Sequence, residues 1–419
     1  MKFPMLIISF ILTLVLFGSS PRIVLAAGNN SWWEIQSVDT MKYSRDAAGQ
    51  GLNDPAFVRI IQEHVTEIAS AGATHVAVAT PYDPEFLPYL KLWVLAARSH
   101  GLNVWFRGNW SGWEGWFGYP PMTRQSHLDK TKAFILDNPG LFADGDIFTP
   151  CPECENGGPG DPRNTGDVAG FRQFLISEYQ MTKAAFASIR KNVRSNFASM
   201  NADVARLIMD PATTAGLDGV VTIDHYVSTP DDYARDIENL ARSSGGRIVV
   251  GEFGSPVPDV TGDQTENQQA EWLNGVLQVL ASHRPEILGL NYWVGVGGST
   301  QLWDTSGQAR PAAGVLKSFY SPSRDIKLRV KNDLGRPVPG LTAVWLGRSY
   351  LIDKTGNVTL PYLNLDVNTR GILVTDPKGV YKPVSVMAKP AVGVISATIS
   401  PKHPDIFYRI RAFFVHLFG

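Results

Sequence analysis

Cysteine is nearly absent from this chain: its 419 residues include two, Cys151 and Cys154. Two thiols cannot build the disulfide framework of a small stapled scaffold. They also fall short of a strong zinc signature, which needs four thiolates or thiolates with a histidine pair. A redox pair wants a thioredoxin-like βαβ setting, which the flanking sequence lacks. Charge of either sign is not in excess, since 38 Lys and Arg stand against 39 Asp and Glu. That balance gives no electrostatic reason to expect nucleic acid as a partner. The apolar C-terminal stretch, DIFYRIRAFFVHLFG, is too short to cross a bilayer.

What is present is an ordinary globular composition, 44% hydrophobic, long enough for a large domain followed by a small one. Residues 1–27 read as a secretory signal. Lys2 precedes an apolar run from Leu6 to Phe17, and small residues follow at Ala26 and Ala27. An uncleaved anchor is the alternative; both predict export. In an oxidising compartment a C-x-x-C bridge would staple its own loop while adding little global stability. Residues 401–419 fit a surface-lying amphipathic segment at a membrane or cell surface, or an element packed on its own domain.

From Trp33 onward, short β-branched or aromatic runs alternate with helical periodicity. Strand signals fall near Trp33–Val38, His75–Ala79, Asn103–Trp110, Ile147–Phe148, Asn196–Met200, Gly219–Ile223, Ile248–Val250 and Ile287–Tyr292. The fifth is the weakest. Eight strand-then-helix units predict a parallel sheet closed into a (β/α)8 TIM barrel over residues 28–322. After Ser321-Pro322-Ser323 the helical period disappears. Short alternating segments separated by turns predict a small antiparallel β-sandwich over residues 323–400.

In such barrels the reacting groups stand on loops at the C-terminal strand ends. Two stretches deliver carboxylates there. In DIFTPCPECENGGPGD, proline and glycine stop the strand, so Glu153 and Glu155 sit just beyond its end. In RIVVGEFGSP, Glu252 follows a β-branched run. Two carboxylates on facing strand ends suit acid/base and nucleophilic work at a glycosidic bond. Glu153 lies nearer its lead-in strand than Glu155, which remains the rival for the acid/base. Other candidates occupy neighbouring tips: Arg107 and Asn109, then Asn156, then His225 and Tyr226, then Asn291 and Trp293. Tyr226 would donate to Glu252, Arg107 would supply positive charge, and Trp293 would floor a sugar site, because apolar sugar faces stack on indole. The three asparagines are candidate hydroxyl binders. The bland readings are a structural His225, an Arg107 paired for structure alone, and simple packing for Trp110, Trp113 and Trp116.

Taken in order, TPCPECEN, TIDHYV, VVGEFGSP and LNYWVG resemble the clan A glycoside hydrolases, cellulase-like enzymes of family 5 and relatives, over Trp33 to Tyr320. The resemblance implies a strand-four acid/base, Glu153 or alternatively Glu155, and a strand-seven nucleophile, Glu252. It implies retaining hydrolysis of a β-linked oligo- or polysaccharide with no metal or organic cofactor. The chain departs from the family where an asparagine normally precedes the acid/base: Pro152 stands before Glu153 and Cys154 before Glu155. That departure motivates a rival reading as a glycan-binding protein without turnover. A transglycosylase would use the same covalent intermediate. Farther on, NDLGRPVPGLTAVWL and DKTGNVTLP resemble transthyretin-like or carboxypeptidase-regulatory-like modules.

Overall fold

The computed structural model of the protein describes residues 33–283, 286–321, 324–345, 348–362, 371–388, 394–406 and 408. The expected signal at 1–27 and the tail from 409 on lie outside them. No helix among the described residues is long and apolar enough to cross a membrane.

Eight strands form one sheet: β1 Ile35–Asp39, β2 His75–Val78, β3 Asn103–Phe106, β4 Ile147–Phe148, β5 Ser199–Asn201, β6 Val220–Asp224, β7 Arg247–Phe253 and β8 Ile287–Tyr292. Their order is β4-β3-β2-β1-β8-β7-β6-β5, and every pairing is parallel. The two end strands are joined by an extended segment that precedes β5. Arg194 N–H donates to Asp146 O at 3.0 Å, and Phe148 N–H donates to Arg194 O at 2.9 Å. This bridge closes the ring, and it explains why the fifth strand reads so weakly in sequence. Its closing half is a single bridge at Arg194 and its regular part is three residues long.

The principal crossover helices are α1 Ala56–Ser70, α2 Leu87–Ser99, α3 Arg124–Asp137, α4 Val168–Ser188, α5 Ala202–Ile208, α6 Pro230–Ser244, α7 Glu266–Ser282 and α8 Pro311–Tyr320. Their starts follow capping chemistry. Thr123 and Thr265 open α3 and α7 with reciprocal capping boxes, and Thr229 accepts from the Asp232 N–H with Pro230 at the first helical position. Inside the ring Ile35, Ala77, Trp105, Ile147, Phe197, Val220, Val249 and Leu288 form one buried cluster. Each of the eight staves supplies one residue to it, as a packed rather than hollow barrel requires.

Past α8 come two small sheets. Strands β10 Thr342–Trp345, β11 Arg348–Leu351, β13 Gly371–Thr375 and β14 Val384–Met387 pair in the order β11-β10-β13-β14. Strands β9 Arg324–Asn332, β12 Asn357–Tyr362 and β15 Val394–Ile399 pair in the order β12-β9-β15. Alternate residues turn inward, among them Leu328 and Val330 of β9, Ala343 and Trp345 of β10, and Ile372 and Val374 of β13. The arrangement differs from a purely antiparallel expectation at one pair, because β15 runs parallel to β9. That pairing reflects a long return between the two strands rather than a hairpin.

Phe197 is the only large residue with which the irregular fifth stave fills the barrel interior, where it meets Trp105 edge to face. Phe197→Ala is expected to cost about 3–5 kcal/mol of stability, read as a lower urea midpoint. An unchanged midpoint would mean that this segment does not hold the ring closed.

Candidate active site

Period-two alternation carries the interior of the barrel from apolar to polar. Ile35, Ser37 and Asp39 share one face of β1, and Val220, Thr222 and Asp224 share one face of β6. Trp105 is followed two residues later by Arg107 at the end of β3. The C-terminal layer of the barrel is therefore lined by Asp39, Arg107 and Asp224, all buried, with Asn291 beside them.

Glu252 reaches this layer by an irregularity. Ile223 is aligned with Val250 but Asp224 with Glu252, so β7 carries one extra residue at Gly251. With Val249 inside the barrel, a regular strand would turn residue 251 inward and Glu252 outward. The bulge turns the carboxylate into the site. It also frees the Gly251 carbonyl, which accepts from Arg107 Nη1 and from Asn291 Nδ2, the latter at 2.9 Å. Glycine is required here because a Cβ would clash with Asp224 Oδ1.

Arg107 is fully buried under the site, with its guanidinium 5.5 Å from the Trp105 ring centroid. Its Nη2 lies 2.7 Å from Glu252 Oε1 and 3.1 Å from Asp224 Oδ2, and its Nε lies 3.7 Å from Asp39 Oδ2. The Tyr226 hydroxyl donates to the other Glu252 oxygen at 2.9 Å. Tyr226 in turn meets Trp293 edge to face, at 6.2 Å between ring centroids, and Lys42 Nζ sits 5.5 Å from the same indole. Burial opposes the charge on Arg107, but Asp224, Glu252 and Asp39 outweigh it and hold the guanidinium firmly protonated. Burial raises Asp39 against the pull of Arg107, pushes Asp224 up to about 8, and with the charge of Asp224 holds Glu252 well above the usual carboxylate range, against the pull of Arg107.

The β4 loop brings the third carboxylate. Glu153, Asp224 and Glu252 each place an oxygen within 4.8 Å of the other two. This is the convergent acidic triad found among the described residues. With Arg107 already seated on two of its members, it is poorly suited to a divalent ion, which would face the guanidinium at close range. Glu153 has left-handed backbone (φ +42°), a conformation that costs a non-glycine residue about 1–3 kcal/mol. The surroundings fix it there. Cys151 and Cys154 are joined in a disulfide, Glu153 N–H donates to Ser199 O at 2.9 Å, and Trp113 Nε1 donates to Cys154 O at 3.2 Å.

Glu155 turns the other way. It is 4% exposed, and Oε1 accepts from Asn201 N at 2.6 Å and Asn201 Nδ2 at 3.1 Å, pinning the loop to the end of β5. Burial is the main cause that lifts its carboxyl to about 7, with the charge of Glu153 adding to it.

The sequence-named residues thus divide. Arg107, Glu153, Tyr226, Glu252 and Asn291 meet in one cluster, and Trp293 borders it. Asn109 is engaged inside the protein: its amide donates to Glu114 and to Cys151 Sγ (3.7 Å), and its Oδ1 accepts from Trp110 N and lies 2.9 Å from His127 Nε2. His225 is buried, with Nε2 3.0 Å from Asp236 Oδ2 on α6, and burial lowers its pKa. Asn156 is exposed, and its backbone N–H donates to Glu153 O. Trp110 and Trp113 are core residues, hydrogen-bonded to Thr131 and Cys154, whereas Trp116 is half-buried with Arg45 4.8 Å from its ring centroid. Two site residues had no role in the sequence reading, Asp39 and Asp224. Both stand four positions beyond an inward apolar residue, and counting by twos from Ile35 and Val220 would have found them.

No protein-family model matches the chain, and no curated protein does. Solved structures do. The chain is similar to a fungal β-1,4-galactanase structure (15% identity, TM-score 0.49, 68% of this chain and 99% of that one). It is also similar to the β-glycosidase BGL167 (14%, 0.48, 70% and 96%) and to a family 5 xyloglucanase from Paenibacillus pabuli (14%, 0.45, 62% and 89%). Likenesses this distant leave the chemistry to be read from the site.

The raised carboxyls set the pH dependence of stability. Glu155 and Glu114 hold their protons to about 7 and Asp224 to about 8, all chiefly through burial. The same groups in an unfolded chain release them near the ordinary carboxylate value of about 4. Between those limits the folded protein binds more protons, so stability must fall as pH rises from about 5 to 8. Thermal unfolding across that range should show the decline, and Glu155→Gln should flatten it. A stability that rises over the same interval would contradict the assignment.

Proposed function

We propose that the protein is an exported retaining glycoside hydrolase, cleaving β-linked oligo- or polysaccharide, with Glu252 as nucleophile and Glu153 as acid/base. One observation carries this reading. Two carboxylates on opposite strand ends approach within 4.8 Å, and one of them is held by a guanidinium and a phenol. Retaining enzymes keep their two carboxyls about 5–5.5 Å apart, whereas inverting ones leave about 6.5–9.5 Å for a water. The close approach favours retention.

In the first step a Glu252 oxygen attacks the anomeric carbon as the bond to the leaving oxygen breaks, and Glu153 delivers its proton to that oxygen. In the second, Glu153 takes a proton from water as the water oxygen displaces Glu252 from the same carbon. Arg107 and Tyr226 donate to both oxygens of Glu252, favouring the ionised form needed for attack and for departure. Trp293, half-buried beside Tyr226, offers an indole face to a sugar ring. Asn109 and Glu155 act on the loops that carry the reacting groups. The order of strand-end residues and the export reading of residues 1–27 support a family 5-like, secreted enzyme. The short two-sheet region after α8 supports the transthyretin-like reading of the C-terminal module.

Aryl β-glycosides with good leaving groups test the assignment. Glu252→Ala should lose nearly all turnover and, with azide, form a glycosyl azide of inverted configuration. Glu153→Ala should lose about 10²–10⁴-fold on substrates with poor leaving groups and, with azide, form the azide of retained configuration. Glu155→Ala should give neither azide product. An azide product from the Glu155 variant would exchange the two roles, and binding of glycans without turnover by the wild type would point to a lectin-like protein.

A further inference from the structure

The cluster around Arg107 is unbalanced. Asp39, Asp224 and Glu252 are all buried on one guanidinium, and Glu153 approaches from above. Three carboxylates and one cation, all ionised, would leave two uncompensated negative charges out of water. Buried carboxyls relieve such an imbalance by keeping a proton. The question is which one keeps it.

Hydrogen bonding distinguishes them. Glu252 has a donor on each oxygen, Arg107 Nη2 at 2.7 Å and Tyr226 Oη at 2.9 Å. Asp39 accepts on both oxygens as well, from Met41 N at 2.7 Å and from Asn291 Nδ2 at 3.0 Å. Asp224 has one donor, Arg107 at 3.1 Å on Oδ2, and its buried Oδ1 has no partner among the described residues. A carboxylate that accepts on both oxygens is stabilised as the anion, and one with a bare buried oxygen is not.

We propose that Asp224 is held as the neutral acid beneath an ionised Glu252, and that its proton removes one of the two uncompensated negative charges around Arg107. This deepens the reading of Glu252 as nucleophile, because an ionised Asp224 would compete with it for the same Nη2. Every charged element packed around Asp224 acts in one of two directions. Arg107 on β3 favours its anion. Glu153 and Glu155 on the β4 loop oppose it, and burial opposes it most. Asp39 on β1 and Glu252 on β7 share the same guanidinium, while Tyr226 after β6 and Tyr233 on α6 are phenols that its charge would hold neutral. Asp224 is thus a positioning residue that acts through Arg107 and Glu252.

The test needs no substrate, so it stands apart from the proposed hydrolysis. Infrared spectra of protein labelled with ¹³C at the aspartate side-chain carboxyl should show the carbonyl band of a protonated acid at pH 6. The band should fade as pH rises through about 8. It should be missing from Asp224→Asn, or from Asp224→Glu, which keeps a carboxyl without the label, should the amide variant fail to fold. The fall in thermal stability between pH 6 and 9 should be shallower in Asp224→Asn than in the wild type. A wild type without the labelled acid band, a band that survives in the Asp224 variants, or equal pH slopes would each overturn the proposal.

Discussion

One guanidinium organises the mouth of this barrel. Arg107 rises from the end of β3 into the barrel interior and touches a group from β1, from β6 and twice from β7. The planar fork of arginine is what allows this, since it presents several donors in fixed directions while keeping its charge when buried. Breaking a buried ion pair by deleting one partner costs about 3–5 kcal/mol, because the other charge is left uncompensated. Here three carboxylates would be stranded together. Every other feature of the floor follows from seating this residue. Gly251 omits a side chain, the bulge supplies a free carbonyl, and Asn291 bridges Asp39 and Gly251.

The opposite wall is built by a different means. The β4 loop has no long strand to stiffen it, because β4 is two residues long. Its rigidity comes from short covalent and polar ties: the Cys151–Cys154 disulfide, the Glu155–Asn201 bonds and the Trp113 indole on Cys154 O. Behind it, His127 links Asn109 to Glu178 of α4, with Nδ1 2.7 Å from the Glu178 carboxylate. The two faces of the site thus differ in character. Glu252 is fixed by charge from beneath, and the half-buried Glu153 by a tethered loop.

Much of this was legible in the chain and some was not. The strand–helix rhythm revealed the barrel because each helix carries an apolar stripe and each strand a buried run, and both periods survive in sequence. Glu252 and Arg107 were legible because each follows an apolar run that ends in polar residues. The fifth stave was faint because a single backbone bridge at Arg194, not a run of β-branched side chains, closes the ring. Which of Glu153 and Glu155 joins the cluster depends on loop conformation, and two carboxylates two residues apart offer no periodicity to separate them. Asn109 and His225 looked like ligand binders because polar residues at strand ends often are. Both prove to be hydrogen-bonded to neighbouring secondary structure, Asn109 to His127 of α3 and His225 to Asp236 of α6. Pairing partners eleven and eighteen residues away in sequence cannot be read from local pattern.

The central claim is that Glu252 forms a covalent bond to the anomeric carbon. An activated 2-deoxy-2-fluoro-β-glycoside that inactivates the enzyme would let that bond be located, since the fluorine slows release of the intermediate. Peptide mapping by mass spectrometry should find the sugar on the peptide carrying Glu252. A sugar found on Glu153 or Glu155 would contradict the account, as would a first product of inverted configuration with no labelled peptide.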